Sequence, residues 1–278
     1  MPLDLRAIRA VLFDMDGVLY RGAQALPGVN ELLAFLEARR LPYACITNNA
    51  SRTPEQFAAN VQAMGLKIAP ERIITSAIAT NVYLRSVAPP GTPIYAVGMD
   101  GLIQPLFGDG YFVLEEQAPS FVVVGADFEV TYAKLRAACL AIRAGATFVG
   151  TNPDKTFPAE DGIVPGCGAL LAALEAATDQ KPMIIGKPEP GMFIAALKLL
   201  EAQAPTTLVI GDRYDTDIVG GATAGLRTAM VLTGISTAAE AEDGLVVPDA
   251  IVADLPELLR IWRVAVDDPG YSTRSDYA

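Results

Sequence analysis

The feature that most narrows what this chain can fold into is the alternation of short apolar runs with helical patterns between Val11 and Thr75. Val11-Leu12-Phe13 is a compact apolar run of the kind that forms a buried strand. Pro27-Gly28 then introduces a helical pattern with Leu32, Leu33 and Leu36 on one face. A second apolar strand extends from Pro42 to Ile46. After it, Thr53-Pro54-Glu55-Gln56 reads as a capping box with proline at the first helical position, and Gly65 closes that helix. Arg72 to Thr75 makes a third strand. The order strand, helix, strand, helix, strand implies parallel pairing and a sheet covered on both faces.

Beyond Thr75 the pattern changes and later returns. Proline and glycine cluster at Pro89-Pro90-Gly91-Thr92-Pro93, followed by strand-like runs at Ile94–Val97, Phe121–Val124 and Phe148–Gly150. A helical stretch from Tyr132 to Arg143 lies between the last two. This reads as a second, smaller α/β unit inserted into the first, because the first pattern resumes afterwards. Ala169–Ala177 is helical, Met183–Ile185 a short strand, and Thr207–Ile210 a buried strand ending in Gly211-Asp212. A helix from near Thr216 to Gly225, a strand at Arg227–Leu232, an edge strand at Ile251-Val252 and a helix through Trp262 complete the order. The tail from Asp267 to Ala278 is polar and expected to be loose.

Composition removes several function classes. The 278 residues contain no histidine, which excludes Ser-His-Asp and Cys-His catalysis, histidine-ligated zinc and phosphohistidine chemistry within this chain. Acid–base work must therefore fall to carboxylates, lysine, tyrosine or water. A formal charge of −11 argues against nucleic acid or an anionic membrane as partner. No apolar run approaches a bilayer span, and Asp4, Arg6 and Arg9 interrupt the N-terminus, so no secretory signal is expected. The three cysteines, Cys45, Cys139 and Cys167, are odd in number and set among apolar neighbours, as in a reduced, cytoplasmic protein.

Chemistry concentrates where the apolar runs end. The first ends in Asp14-Met15-Asp16-Gly17, which puts Asp14 and Asp16 on one face of an extended chain, with Gly17 letting it turn away. Buried carboxylates must be paired, protonated or bound to a cation, and two converging carboxylates suit a hard divalent ion such as Mg2+. Thr47-Asn48-Asn49 ends the second strand, Lys187 follows the run at Ile184-Ile185, and Asp212 follows the strand after it. Each has a plainer explanation alone: Thr47 as a turn residue, Lys187 as a surface lysine, Asp212 and Asp217 as a turn and a helix cap. Together they mark the C-terminal ends of predicted parallel strands, where open α/β sheets bind ligands.

These motifs resemble the haloacid dehalogenase superfamily of phosphohydrolases. Its four motifs stand in order as Asp14-Met15-Asp16-Gly17-Val18, Thr47, Lys187, and Gly211-Asp212 with Asp217. Thr47-Asn48-Asn49, Gly186-Lys187-Pro188-Glu189-Pro190, Thr151-Asn152-Pro153-Asp154 and Gly162-Ile163-Val164-Pro165-Gly166 further resemble its NagD-like subgroup of sugar-phosphate, 4-nitrophenylphosphate, phosphoglycolate and pyridoxal-phosphate phosphatases. The resemblance runs from Arg9 to about Trp262.

The resemblance implies a Rossmann-like parallel-sheet core of residues 1–77 and 159–264, with an inserted α/β cap of the C2 type over 78–158. It implies that Asp14 attacks phosphorus and forms an aspartyl-phosphate, while Asp16 protonates the leaving oxygen and later deprotonates water. Mg2+ would be held by Asp14, the Asp16 backbone carbonyl and Asp212, with Asp217 in a supporting role. Thr47, with Asn48 and Asn49, would bind phosphoryl oxygens, and Lys187 would supply a second positive charge. In the cap, Asn152, Asp154 and Phe157 are the expected substrate-facing residues, with a turn-capping role for Asp154 left open. The implied partner is a small phosphorylated metabolite, and pairing into a homodimer through the cap is expected by analogy. A phosphotransferase or mutase using the same aspartyl-phosphate, or a non-catalytic binder of phosphorylated metabolites, remains an alternative at this stage.

Overall fold

The computed structural model describes residues 3–159 and 162–267. The chain divides into two compact units. The first holds residues up to Ile46, Ala58–Ile73 and the chain from Ala196 onward; the second holds Thr47–Phe57 and Ile74–Ala195. The second unit thus takes in residues 159–195 as well as the stretch expected to form the insertion. Of the tail expected to be loose, everything after Asp267 lies outside the described residues.

β1 (Ala10–Asp14) is followed by a short hairpin of β2 (Tyr20–Arg21) and β3 (Gln24–Ala25), then by β4 (Tyr43–Thr47) and β5 (Ile73–Thr75). Next come β6 (Pro93–Val97), β7 (Val113–Leu114), β8 (Phe121–Val124) and β9 (Thr147–Gly150). A hairpin of β10 (Thr156–Ala159) and β11 (Gly162–Pro165) precedes β12 (Met183–Ile184). β13 (Thr207–Gly211), β14 (Arg227–Val231) and β15 (Ala250–Val252) complete the set.

A six-stranded sheet in the order β15-β14-β13-β1-β4-β5 organises the first unit. β1 pairs in parallel with β13 on one side and with β4 on the other. The strand order reverses direction there, and in open α/β sheets ligands bind beyond the C-terminal strand ends at such a point. The register Phe13↔Ile210 makes Asp14 and Gly211 end level, with Asp212 one residue beyond. Ala10 to Phe13 and Leu208 to Ile210 are fully buried, as their unbroken apolar runs require. The helix Val29–Ala38 buries Leu32, Leu33 and Leu36, the face read from the sequence. Its Phe35 meets Trp262 of the helix Leu255–Asp267 edge-on, with ring centroids 5.6 Å apart. Each such side chain contributes roughly 1.5–3 kcal/mol on burial, so the ends of β1 and β13 are held on a well-packed base.

The second unit has its own five-stranded sheet, ordered β12-β9-β8-β6-β7, with every pair parallel. Thr131 caps the helix Tyr132–Arg143, which packs Ala138, Ala141 and Ile142 against Val122, Val124 and Phe148. The capping box at Thr53 forms as expected: the Thr53 amide donates to Gln56 Oε1 at 2.9 Å, and the Gln56 amide to Thr53 Oγ1 at 3.3 Å. One expectation is corrected. The run at Met183–Ile185 was expected to resume the first sheet, but β12 pairs with β9 in the second. Gly150 makes the pairing possible, because a side chain there would collide with Leu171 and Ile184, which instead close over it. The Ile185 and Gly186 amides extend the ladder to the carbonyls of Gly150 and Thr151 at 3.1 and 2.8 Å.

Candidate active site

Within the first unit, Asp14, Asp212 and Asp217 each turn a carboxylate oxygen toward a common point, all three within 4.8 Å of one another. Asp14 is 9% exposed, Asp212 1% and Asp217 0%. Three carboxylates so close repel one another, and oxygen donors of this kind suit a hard divalent cation. The backbone is shaped around them. Gly17, at φ +84°, lies where a Cβ would stand 2.5 Å from Asp212 Oδ2, and a Cβ on Gly234 would stand 1.7 Å from the same oxygen. A Cβ on Gly211 would meet the Cβ of Asp217 at 2.1 Å. The site has the oxygen donors that a small hard cation needs, and glycines stand where side chains would displace them.

Asp217 arrives there by a route the sequence did not suggest. The helix expected to start near Thr216 is preceded by a wide turn, Tyr214–Ile218, in which the Ile218 amide reaches back five residues to the Arg213 carbonyl. Such widened turns are rare and collect at functional sites. Here the turn swings Asp217 inward, and its Oδ2 accepts the Arg213 amide at 3.2 Å. Asp217 therefore stands among the clustered carboxylates, where the motif pattern gave it only a supporting place.

Asp16 is the most open of these acids. Its carboxyl pKa is raised above the ordinary aspartate value by partial burial, against the lowering effects of the Gly17 amide and the Arg21 guanidinium. A raised pKa suits a group that must carry a proton. Its carboxylate is not among the three that cluster.

The second unit holds the other candidates, and here Asn48 is the organiser. Its Oδ1 accepts the Lys187 amide at 2.8 Å and its Nδ2 donates to the Lys187 carbonyl at 2.9 Å, so one side chain grips both ends of that residue. The same Nδ2 also reaches Asp154 Oδ1 at 3.3 Å. The Asn48 carbonyl accepts from Asn152 Nδ2 at 2.7 Å and from Ser76 Oγ at 2.6 Å. Asn152 Oδ1 accepts the Asp154 amide at 3.1 Å, so Asn152 caps the turn that carries Asp154. Lys187 is 3% exposed. Thr47 Oγ1 accepts the Asn49 amide at 3.2 Å, which leaves the hydroxyl proton able to donate elsewhere. Asn49 turns its own Oδ1 to Ser51, whose amide and hydroxyl donate at 2.9 and 2.7 Å. Phe157, on β10, meets Phe128 with ring centroids 5.4 Å apart. Sequence reasoning missed Phe128, and it also missed Gly234. Neither belongs to a motif, and no spacing signals a contact that only folding creates.

Comparison with known proteins gives a consistent picture. A family profile described as haloacid dehalogenase-like hydrolase matches residues 11–111, and a second, described as HAD-hydrolase-like, matches 184–258. The chain is 36% identical over 255 residues to the acid sugar phosphatase of Staphylococcus aureus (strain USA300), covering 92% of this chain and 98% of that protein. A solved protein of Pyrococcus horikoshii OT3 is 40% identical with a TM-score of 0.85, covering 91% of this chain and 99% of the other. NagD from E. coli K-12 is 34% identical with a TM-score of 0.85, covering 90% and 98%.

Proposed function

The chain belongs to the haloacid dehalogenase-like hydrolases, in their NagD-like group of phosphatases, and we propose that it hydrolyses small phosphomonoesters through a phosphoryl group carried on Asp14. The substrates are of the sugar-phosphate, phosphoglycolate or 4-nitrophenyl-phosphate type. The observation that carries the proposal is the carboxylate cluster beyond the ends of β1 and β13, with Asp14 in it and Asp16 two residues on.

Asp14 attacks phosphorus with a carboxylate oxygen, forming the new P–O bond as the ester P–O bond breaks. Asp16 donates its proton to the departing alkoxide, a task its raised pKa suits. It then takes a proton from the water that attacks the aspartyl-phosphate, which releases phosphate and restores the Asp14 carboxylate. Asp14, Asp212 and the Asp16 backbone carbonyl would hold Mg2+, with Asp217 beside them. When bound, the ion offsets the charge of the phosphate and of its nucleophile. By the order of the family motifs, Thr47 donates to a phosphoryl oxygen and Lys187 balances charge in the transition state. The Asn48 side chain is engaged in holding the Lys187 backbone and Asn152 holds the Asn48 carbonyl, so their part is to orient that segment. The cap, assigned to 78–158, chooses the leaving group through residues near Asp154 and Phe157. The protein acts in the cytoplasm on a free metabolite, as a homodimer through the cap.

A screen of phosphorylated metabolites with and without Mg2+, reading released phosphate, tests the proposal. Phosphate release that needs Mg2+ and falls at least a thousandfold in Asp14→Asn, with unchanged melting temperature, is the expected result. Near-normal turnover by Asp14→Asn would remove Asp14 as nucleophile, and transfer to an added sugar in place of phosphate release would mark a phosphotransferase.

A further inference from the structure

Thr233 to Ser236 lie between β14 and the short helix Ala238–Glu242, outside every motif used above. They are nonetheless tied to both acid-bearing strand ends. Thr233 Oγ1 donates to the Gly17 carbonyl at 2.6 Å, on the loop directly after Asp16. The Ile235 amide donates to Asp212 Oδ2 at 2.8 Å, and the Ser236 amide to the Asp212 carbonyl at 3.1 Å. Ser236 Oγ accepts the Tyr214 amide at 3.1 Å, which fastens the wide turn that carries Asp217. Gly234 stands between the two donors, where any side chain would overlap the Asp212 carboxylate. The Arg21 guanidinium donates to the Thr233 carbonyl.

We propose that Thr233 is a positioning residue, which fixes the spacing between the Asp14–Asp16 loop and the Asp212 carboxylate and so the fit of the acid cluster to its divalent cation. Its hydroxyl holds one side through Gly17, and the peptide that follows it holds the other through Ile235. A carboxylate with one oxygen held by an amide keeps its other oxygen aimed, and a cation site depends on that aim. Removing the partners that orient metal ligands typically costs about 10–100-fold in affinity or activity. The proposal deepens the proposed function and rests on it for the cation at the acid cluster and for its kinetic arm.

The test compares Thr233→Val and Thr233→Ala, which lose the donor, with Thr233→Ser, which keeps it, in the full-length protein. Mg2+ affinity is read from the rise in melting temperature with added Mg2+ and no substrate; kcat and KM are read on a screened phosphomonoester. The expected result is a loss of about tenfold in Mg2+ affinity and in kcat for Val and Ala, KM unchanged, and Ser close to the wild type. If the Val variant fails to fold, the Ala and Ser pair decides. Val and Ala binding Mg2+ within twofold of wild type, or Ser no better than Ala, would overturn the role. So would a wild type whose melting temperature ignores Mg2+. A wild type that binds Mg2+ but releases no phosphate sinks the phosphatase assignment, and the Mg2+ titration then decides on Thr233 by itself.

Discussion

Two clusters of buried charge, one in each unit, are handled in opposite ways. Beside the six-stranded sheet, three carboxylates are gathered within 4.8 Å, and three glycines are spent to make room for them. Beside the five-stranded sheet, the buried acid Asp127 is given its own lysine: its Oδ2 accepts Lys134 Nζ at 2.8 Å and its Oδ1 accepts the Glu129 amide at 2.9 Å. Asn48 and Asn152 are likewise consumed in bonds to their own chain. Crowding like charges lowers stability unless a ligand repays it, whereas a paired acid serves the fold itself. We therefore expect the acid cluster to serve chemistry and the Asp127–Lys134 pair to serve the fold. Substitutions in the first should cost activity more than stability, and in the second the reverse.

The sharpest way to break that contrast is Gly234→Ala. The added methyl group would stand 1.7 Å from Asp212 Oδ2, so the carboxylate or the loop must move. The glycine is on a surface-side loop and fills no core, so the fold should survive. We expect phosphatase activity to fall by two or more orders of magnitude, about 3 kcal/mol of transition-state stabilisation, with Mg2+ affinity falling alongside. Steady-state kinetics across a Mg2+ series and a melting curve check it. A variant that keeps its rate but melts far lower would show the acid cluster serving the fold.

The sequence made the acids of this site easier to see than their supports, for a physical reason. Asp14 and Asp212 end apolar strands, and a charge abutting a buried run is conspicuous along one dimension of chain. The alternation of runs likewise exposed the six-stranded sheet and the helices Val29–Ala38 and Tyr132–Arg143. Supports are different, because they join distant positions: the bond from Thr233 to Gly17 spans 216 residues. Two apolar residues at Met183-Ile184 do not say in sequence which sheet they join, and the space at Gly150 that Ile184 fills shows only in the folded chain. The β10–β11 hairpin was hidden by Pro158 and Pro165, which weaken a strand signal although edge positions tolerate them.

A milder probe of the contrast is Lys134→Met. It leaves the Asp127 carboxylate, whose side chain is fully buried, held by the Glu129 amide without the lysine's charge. Because the lysine is itself 38% exposed, solvent offsets part of the loss, and a cost of about 1–2 kcal/mol is expected. For a chain of this size that is a fall of roughly 2–8 °C in melting temperature. Turnover should stay within twofold of the parent. A fall in kcat at unchanged stability would place Asp127 and Lys134 in the chemistry and dissolve the contrast.

The smallest effect concerns the cysteines, which report whether both interiors are equally closed. Cys45, in β4, is fully buried, and burial pushes its thiol pKa up to about 12. Burial also raises that of Cys167, at the start of the helix Cys167–Thr178 in the second unit. A thiol whose pKa lies above the working pH stays protonated and is a poor nucleophile, so at pH 8 both should be inert. Cys139 is only partly covered and should be the residue that a thiol reagent labels in the native protein. Mass spectrometry of the modified protein should find one adduct at Cys139, and three after denaturation. If Cys167 labels at a rate near that of Cys139 while Cys45 stays silent, the second unit opens independently of the first, as a unit with a substrate-gating duty would.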